Sequence, residues 1–228
     1  MKSFTLRFGA LSTPAAFLLN LLLVYVVYAL CRVAFLVNNW DAFAPGFAQL
    51  DTALVIKGTL FFDISAILYT NALYALLMLL PVPYKERAGC KWLYVVINGV
   101  GVALNMADAV YFQYTGRRTT WTVFGEFSHE GNIFSIVGKE VLHHPFVLLI
   151  GVALIALLWL AYVHPRSLTK TPQPAAPYYV AQTLALGLFI PLCVAGMRVG
   201  FTTAVRPITL SNANQFVNRP AEAALVLN

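Results

Sequence analysis

Three ionisable side chains stand inside apolar runs: Arg32 in LNLLLVYVVYALCRVAFLV, Asp63 in TLFFDISAILYT and Asp108 in LNMADAVYF. A lone charge in such surroundings is costly, so each of these groups needs a partner. Arg32 bridging Asp63 or Asp108 is the natural pairing. A second cationic group, Arg117-Arg118, follows Asp108 closely. Adjacent guanidinium groups can fork onto phosphate oxygens, so a phosphate-bearing headgroup is the chemistry this pair suits. Ordinary interfacial anchoring is the plainer reading of the same residues.

The elements that position these groups follow from composition. Of 228 residues, 60% are hydrophobic and 11% charged, against about 25% charged in soluble domains. Such a chain cannot cover itself with polar surface, so its main solvent and partner is a phospholipid bilayer. Five stretches approach the roughly 20 apolar residues of a spanning helix: 14–37, 58–80, 92–112, 145–163 and 178–197. Thr13 stands as a plausible N-cap before Pro14 at the first helical position. The first stretch is too long for a signal-peptide core and no small-x-small site follows it, so it is read as retained.

Lys and Arg set the orientation. Lys2, Arg7, Lys85, Arg87, Lys91, Arg166 and Lys170 fall on one side of a five-span arrangement. The first loop on the other side carries Asp41 and Asp51, and the third-to-fourth loop balances Arg117, Arg118 and Lys139 with Glu126, Glu130 and Glu140. The N-terminus is therefore expected inside and the C-terminus outside. The net charge of +6 is explained by these loops and calls for no nucleic acid as partner.

Polar residues also form stripes. Thr59, Asp63, Thr70 and Tyr74 share one face of a helix, and Asn98, Gly101, Asn105 and Asp108 another, within about 60° and 80° at 3.6 residues per turn. Arg32, Asp63 and Asp108 each lie roughly 6–7 Å below the outer ends of their spans at 1.5 Å per residue. An intramembrane polar cluster of Arg32, Asp63, Asn98, Asn105 and Asp108 is expected. It acts either as interhelical glue, with Gly101 and Ala103 allowing close approach, or as the lining of a cavity open to the outside. No carboxylate appears in the inner half of any span, which leaves a proton relay without a second half.

The loop 113–144 is too apolar to hang free. Ile133, Phe134, Ile136, Val137 and Val141 recur at near-helical spacing and predict amphipathic helices in the outer interface. His129, His143 and His144 have no Cys or acidic group at ligand spacing and read as interfacial, not as a metal site. Cys31, Cys90 and Cys193 suggest no disulfide framework. No catalytic signature is visible. The expected fold is an all-α integral membrane protein of five transmembrane helices, N-in and C-out, with residues 1–200 as the membrane domain and 201–228 as an extracytoplasmic linker.

Three blocks carry a resemblance: FFDISAILYTNALYALLMLLP, NMADAVYFQYTGRRTTWTVFGEF and RPITLSNANQFVNRPAEAALVLN. In order and spacing they resemble the membrane half of lipoteichoic acid synthase-like proteins. These are sulfatase-type phosphoglycerol transferases, related to the phosphoethanolamine transferases. The resemblance implies a multi-pass protein of the bacterial cytoplasmic (inner) membrane. It also implies that the apolar ending ALVLN approaches the first strand of an extracytoplasmic catalytic domain of the alkaline phosphatase superfamily. That domain would hold the nucleophile and a divalent metal, manganese or zinc, and would move a phosphoglycerol or phosphoethanolamine group from a phospholipid. No cofactor and no catalytic residue is expected in these 228 residues, which alone would be inactive. Two alternatives stay open: the anchor of a sulfatase-like hydrolase, and a self-contained five-helix transporter, channel or sensor.

Overall fold

A computed structural model of the chain describes residues 12–81, 88–119, 139–140, 142–165, 175–198, 210–217 and 222–227. Its regular elements are helical. α1 is Thr13–Asn38, α2 Trp40–Phe47, α3 Thr52–Thr70, α4 Ala72–Leu79, α5 Ala88–Thr115, α6 Pro145–Leu160 and α7 Ala175–Arg198; a 3-10 turn, η1, covers Leu210–Phe216, and α8 covers Ala223–Val226. Of the 113–144 loop expected to carry amphipathic helices, residues 120–138 and 141 lie outside the described residues, as do the basic residues Lys2, Arg7, Lys85, Arg87, Arg166 and Lys170.

Four helices, α1, α3, α5 and α7, are long and apolar enough to cross a membrane. The expected fourth span is shorter than the sequence suggests. α6 has 16 residues, about 24 Å at 1.5 Å per residue, against a hydrocarbon core of about 30 Å. The chain leaves the helix at Ala161, and Tyr162 and Val163 run on as buried, non-helical backbone. Such backbone is tolerated at membrane depth only where its polar groups find partners. Asn20 of α1 supplies them: its Oδ1 accepts from Val163 N at 2.8 Å and its Nδ2 donates to Val163 O at 3.0 Å.

The remaining boundaries have local causes. Ser12, not Thr13, precedes the first turn of α1, and its side chain makes no capping hydrogen bond. Asp51 caps α3 by accepting from Leu54 N. The second expected span is broken into α3 and α4 at Asn71, although the backbone ladder continues across it through Asn71 N to Ile67 O and Ala75 N to Asn71 O. Gly116 closes α5 with φ of +65°, the left-handed conformation that glycine adopts without steric cost, and its N–H reaches Phe112 O at 2.8 Å.

α1 and α5 form the centre of the bundle. α6 packs on both, α4 against α1, and α7 against α3 and α4. Tyr28, Val24, Tyr74, Tyr94, Val102 and Leu158 fill the interior, while Leu18, Val33, Val96, Leu149 and Leu184 stay exposed, as lipid-facing residues should. Gly101 is the close-approach position the sequence suggests, since a Cβ there would run into the Tyr28 hydroxyl; Ala103 is exposed and plays no such part. Thr70 is likewise exposed, with its hydroxyl turned back onto Ala66 O. α2, unforeseen in the sequence, lies beside the C-terminal end of α1 with Phe43 stacked on Phe112 and with Trp40 and Phe47 exposed.

Candidate functional site

The charged residues converge on one place, and the chain's last described helix lies in the middle of it. Arg32 grips Asp63 with two hydrogen bonds, Nη1 to Oδ2 and Nη2 to Oδ1, both 2.7 Å. The Asp63 side chain is fully buried, and 14% of the Arg32 side chain is exposed. Of the two pairings open in the sequence, this is the one that forms. A guanidinium has a second donor edge, made of Nε and Nη2. Arg32 turns that edge to α8, donating from Nε to Leu225 O at 2.7 Å and from Nη2 to Val226 O at 3.4 Å.

Asp108 pairs with Arg118 instead of Arg32. Gly116 makes the difference: its left-handed turn reverses the chain so that Arg118 folds back along α5. Arg118 Nη1 donates to Asp108 Oδ2 at 3.3 Å and to Asn105 Oδ1 at 3.1 Å, and Nε donates to Ala224 O at 2.8 Å. The guanidinium lies over the Phe35 ring, 4.2 Å from its centroid, a cation–π contact that favours the charged form. The other Asp108 oxygen accepts from Thr119 N at 2.9 Å. Burial pushes the Arg118 pKa down to about 10 and the Asp108 carboxylate opposes that shift, so the group is cationic at neutral pH.

This geometry separates two neighbours. Arg118 is buried, with only 5% of its side chain exposed. Arg117 is exposed. The two are adjacent in sequence, yet one is exposed and the other buried among Asp108, Asn105 and Ala224.

α8 explains why two arginines gather. Ala223, Ala224, Leu225 and Val226 are all buried, and a four-residue helix leaves nearly all its carbonyls without intrahelical partners. Those of residues 224, 225 and 226 point to the arginines, which satisfy them and match the negative end of the helix. The apolar side chains seat beside Gly58, where an added Cβ would lie 2.7 Å from Phe216 and 2.9 Å from Val226. The ending expected to approach a strand is thus a short helix, and residues 210–217 and 222–227 of the expected linker pack on α3.

The remaining polar residues form a second group deeper in the bundle. Asn98 does not join the charged cluster. It exchanges hydrogen bonds with Asn71, 2.9 and 2.8 Å, and donates to Tyr94 O. Asn20 donates to the Tyr74 hydroxyl at 2.9 Å, Tyr94 donates to Asn20 O at 3.0 Å, and Tyr74 and Tyr162 bring their hydroxyls to 3.4 Å. Asn20 and Asn71 were visible in the sequence as lone amides within Leu-rich runs, but they lie off the two polar stripes.

Among the described residues no three His, Cys, Asp or Glu side chains are grouped to hold a metal ion. His144 instead sits 3.8 Å from Glu140. Comparisons with protein-family models, with curated proteins and with solved structures find no match.

Proposed function

We propose that this chain is the membrane part of a sulfatase-type transferase of the bacterial inner membrane, crossing five times with its N-terminus inside and its C-terminus outside. Its role is to hold the polypeptide that follows α8 against the outer leaflet, where that part moves a phosphoglycerol or phosphoethanolamine group from a phospholipid. One observation supports this above the others: two arginines, Arg118 buried and Arg32 partly buried, each anchored by an aspartate, fasten the main chain of Ala224–Val226 to the bundle. A chain whose exit is fixed this way delivers whatever it carries to one height above the membrane, which raises the encounter rate with headgroups confined to the same plane. The resemblance of the three sequence blocks supplies the chemistry. The divalent metal it implies would have ligands elsewhere, because Asp63 and Asp108 are engaged by arginines, and no step is derived through it.

The test uses the chain as its gene encodes it. Expressed in an inner membrane with a reporter after residue 228, it should report an external C-terminus. In vesicles containing headgroup-labelled phosphatidylglycerol or phosphatidylethanolamine it should release labelled product with diacylglycerol left behind. A cytosolic reporter, or failure to turn over either lipid, would sink the proposal; release only to water would point to a hydrolase. A second reading, a small transporter, draws on the break between α3 and α4 at Asn71 and the polar seam beside it, since interrupted helices often mark substrate sites. Solute uptake into vesicles without lipid turnover would favour it.

A further inference from the structure

The two arginines that hold α8 do so with an edge better matched to an oxyanion. In both, the Nε/Nη2 edge faces the segment. Arg32 meets two separate carbonyls there, at 2.7 and 3.4 Å. Arg118 meets one, Ala224 O, and its Nη2 is buried with no hydrogen-bond partner among the described residues. A buried guanidinium donor left unsatisfied is costly, and a phosphate places two oxygens on such an edge at once. Neither arginine depends on α8 to stay in place. Arg32 is fixed by Asp63, and Arg118 by Asp108 and Asn105. With α8 removed, both Nε donors and the Arg118 Nη2 would lie open together, on the side of the bundle where α5 ends.

We infer that α8 is a displaceable plug over a two-guanidinium site for a phosphate group, and that a phosphate-bearing ligand and the Ala224–Val226 carbonyls exclude one another. A lipid headgroup and free phosphate both carry such a group; the site recognises the oxygens common to both. The outer-leaflet placement proposed above bears only on the lipid source, and the free-phosphate arm tests the site without it. Displacement requires that a ligand favour the open state, and at about ten times its dissociation constant it raises that population about tenfold.

The experiment follows amide hydrogen exchange of residues 223–227 in the full-length protein in nanodiscs. Three conditions are compared: a phosphate-free glycolipid bilayer, the same bilayer with phosphatidylglycerol, and the same bilayer with inorganic phosphate in the buffer. Exchange should rise about tenfold with the matching source, with phosphatidylglycerol alone if the ligand is lipid and with both if free phosphate suffices. Arg118→Lys, a point charge without the two-donor edge, should abolish the rise. Leu225→Ala, which loosens the apolar seat and leaves the arginines intact, should lower the phosphate concentration needed. Exchange that is equal in all three conditions for both the native chain and Leu225→Ala overturns the inference, and so does a rise that Arg118→Lys retains.

Discussion

Asn71 and Asn98 exchange two amide hydrogen bonds, 2.9 and 2.8 Å long, where α3 gives way to α4. Each amide is donor and acceptor for the other, so removing one takes the Nδ2 donor from its partner's buried Oδ1, while the partner's own Nδ2 still reaches the carbonyl four residues back, Ile67 O or Tyr94 O. Asn98→Ala should therefore destabilise the bundle by about 1–3 kcal/mol, toward the lower end because an unfolded chain in lipid also finds partners. Asn71→Ala should cost no more than that. The double variant should cost less than the sum of the two. Thermal unfolding in detergent measures all three, and strict additivity would show that the pair is not coupled.

The Arg32–Asp63 pair gives a sharper asymmetry. Asp63→Asn leaves a partly buried guanidinium with its two Asp63 bonds weakened and its charge uncompensated, an effect below the roughly 3–5 kcal/mol of a fully buried pair that loses one member. Replacing both members by apolar residues of similar size often restores stability. Arg32→Met with Asp63→Leu should thus melt above either single variant. The same double variant should still show rapid exchange at Leu225 and Val226, because their carbonyls lose the donor. Protection there equal to the native chain would mean that the apolar seat alone holds α8.

Gly58 tests that seat without touching a charge. An added Cβ lies 2.7 Å from Phe216 and 2.9 Å from Val226, nearer than two carbons can approach. Gly58→Ala should displace η1 and α8 together and speed exchange at 223–227, with little effect on α5 and α6. Adding Phe216→Gly removes both Phe216 atoms that lie 2.7 Å away, Cβ and Cγ, and should recover part of the protection. If Gly58→Ala left the segment as protected as before, α8 would be docked by something other than the contact described.

How much of this was legible in the sequence varies with the kind of signal. The long apolar runs give the four helices long and apolar enough to cross a membrane, because hydrophobic length needs no context. The need for Arg32 to find a carboxylate was legible for the same reason: a buried charge demands a partner whatever the fold. Which carboxylate it finds was not, because that depends on Gly116 turning the chain and sending Arg118 to Asp108 first. α8 was unreadable for a related reason. Four apolar residues carry no period, and their carbonyls, which decide the docking, leave no mark in side-chain identity. Asn98 shared a helical stripe with Asn105 and Asp108, yet it is claimed by Asn71 at the helix break, a tertiary contact that periodicity along one helix cannot contain.

Asn20 carries the last prediction. It makes three side-chain bonds, two to the backbone of Val163 and one to the Tyr74 hydroxyl, and so closes the point where the chain leaves α6. Asn20→Leu keeps the volume but strands the N–H and C=O of Val163 in a buried setting, where unpaired groups cost about 1–3 kcal/mol each. The segment 161–165 should then open locally, with exchange at Val163 faster by well over the factor seen elsewhere in α6. Tyr74→Phe removes only the third bond and should leave Val163 protected while lowering the melting point slightly. Asn20→Asp separates the two backbone contacts, since a carboxylate still accepts from Val163 N but no longer donates to Val163 O. An intermediate exchange rate for Asn20→Asp, between the native chain and Asn20→Leu, is the expected outcome. Equal rates for Asp and Leu would place the clamp in the donated bond alone, and unchanged rates in both would remove Asn20 from the account of why α6 ends where it does.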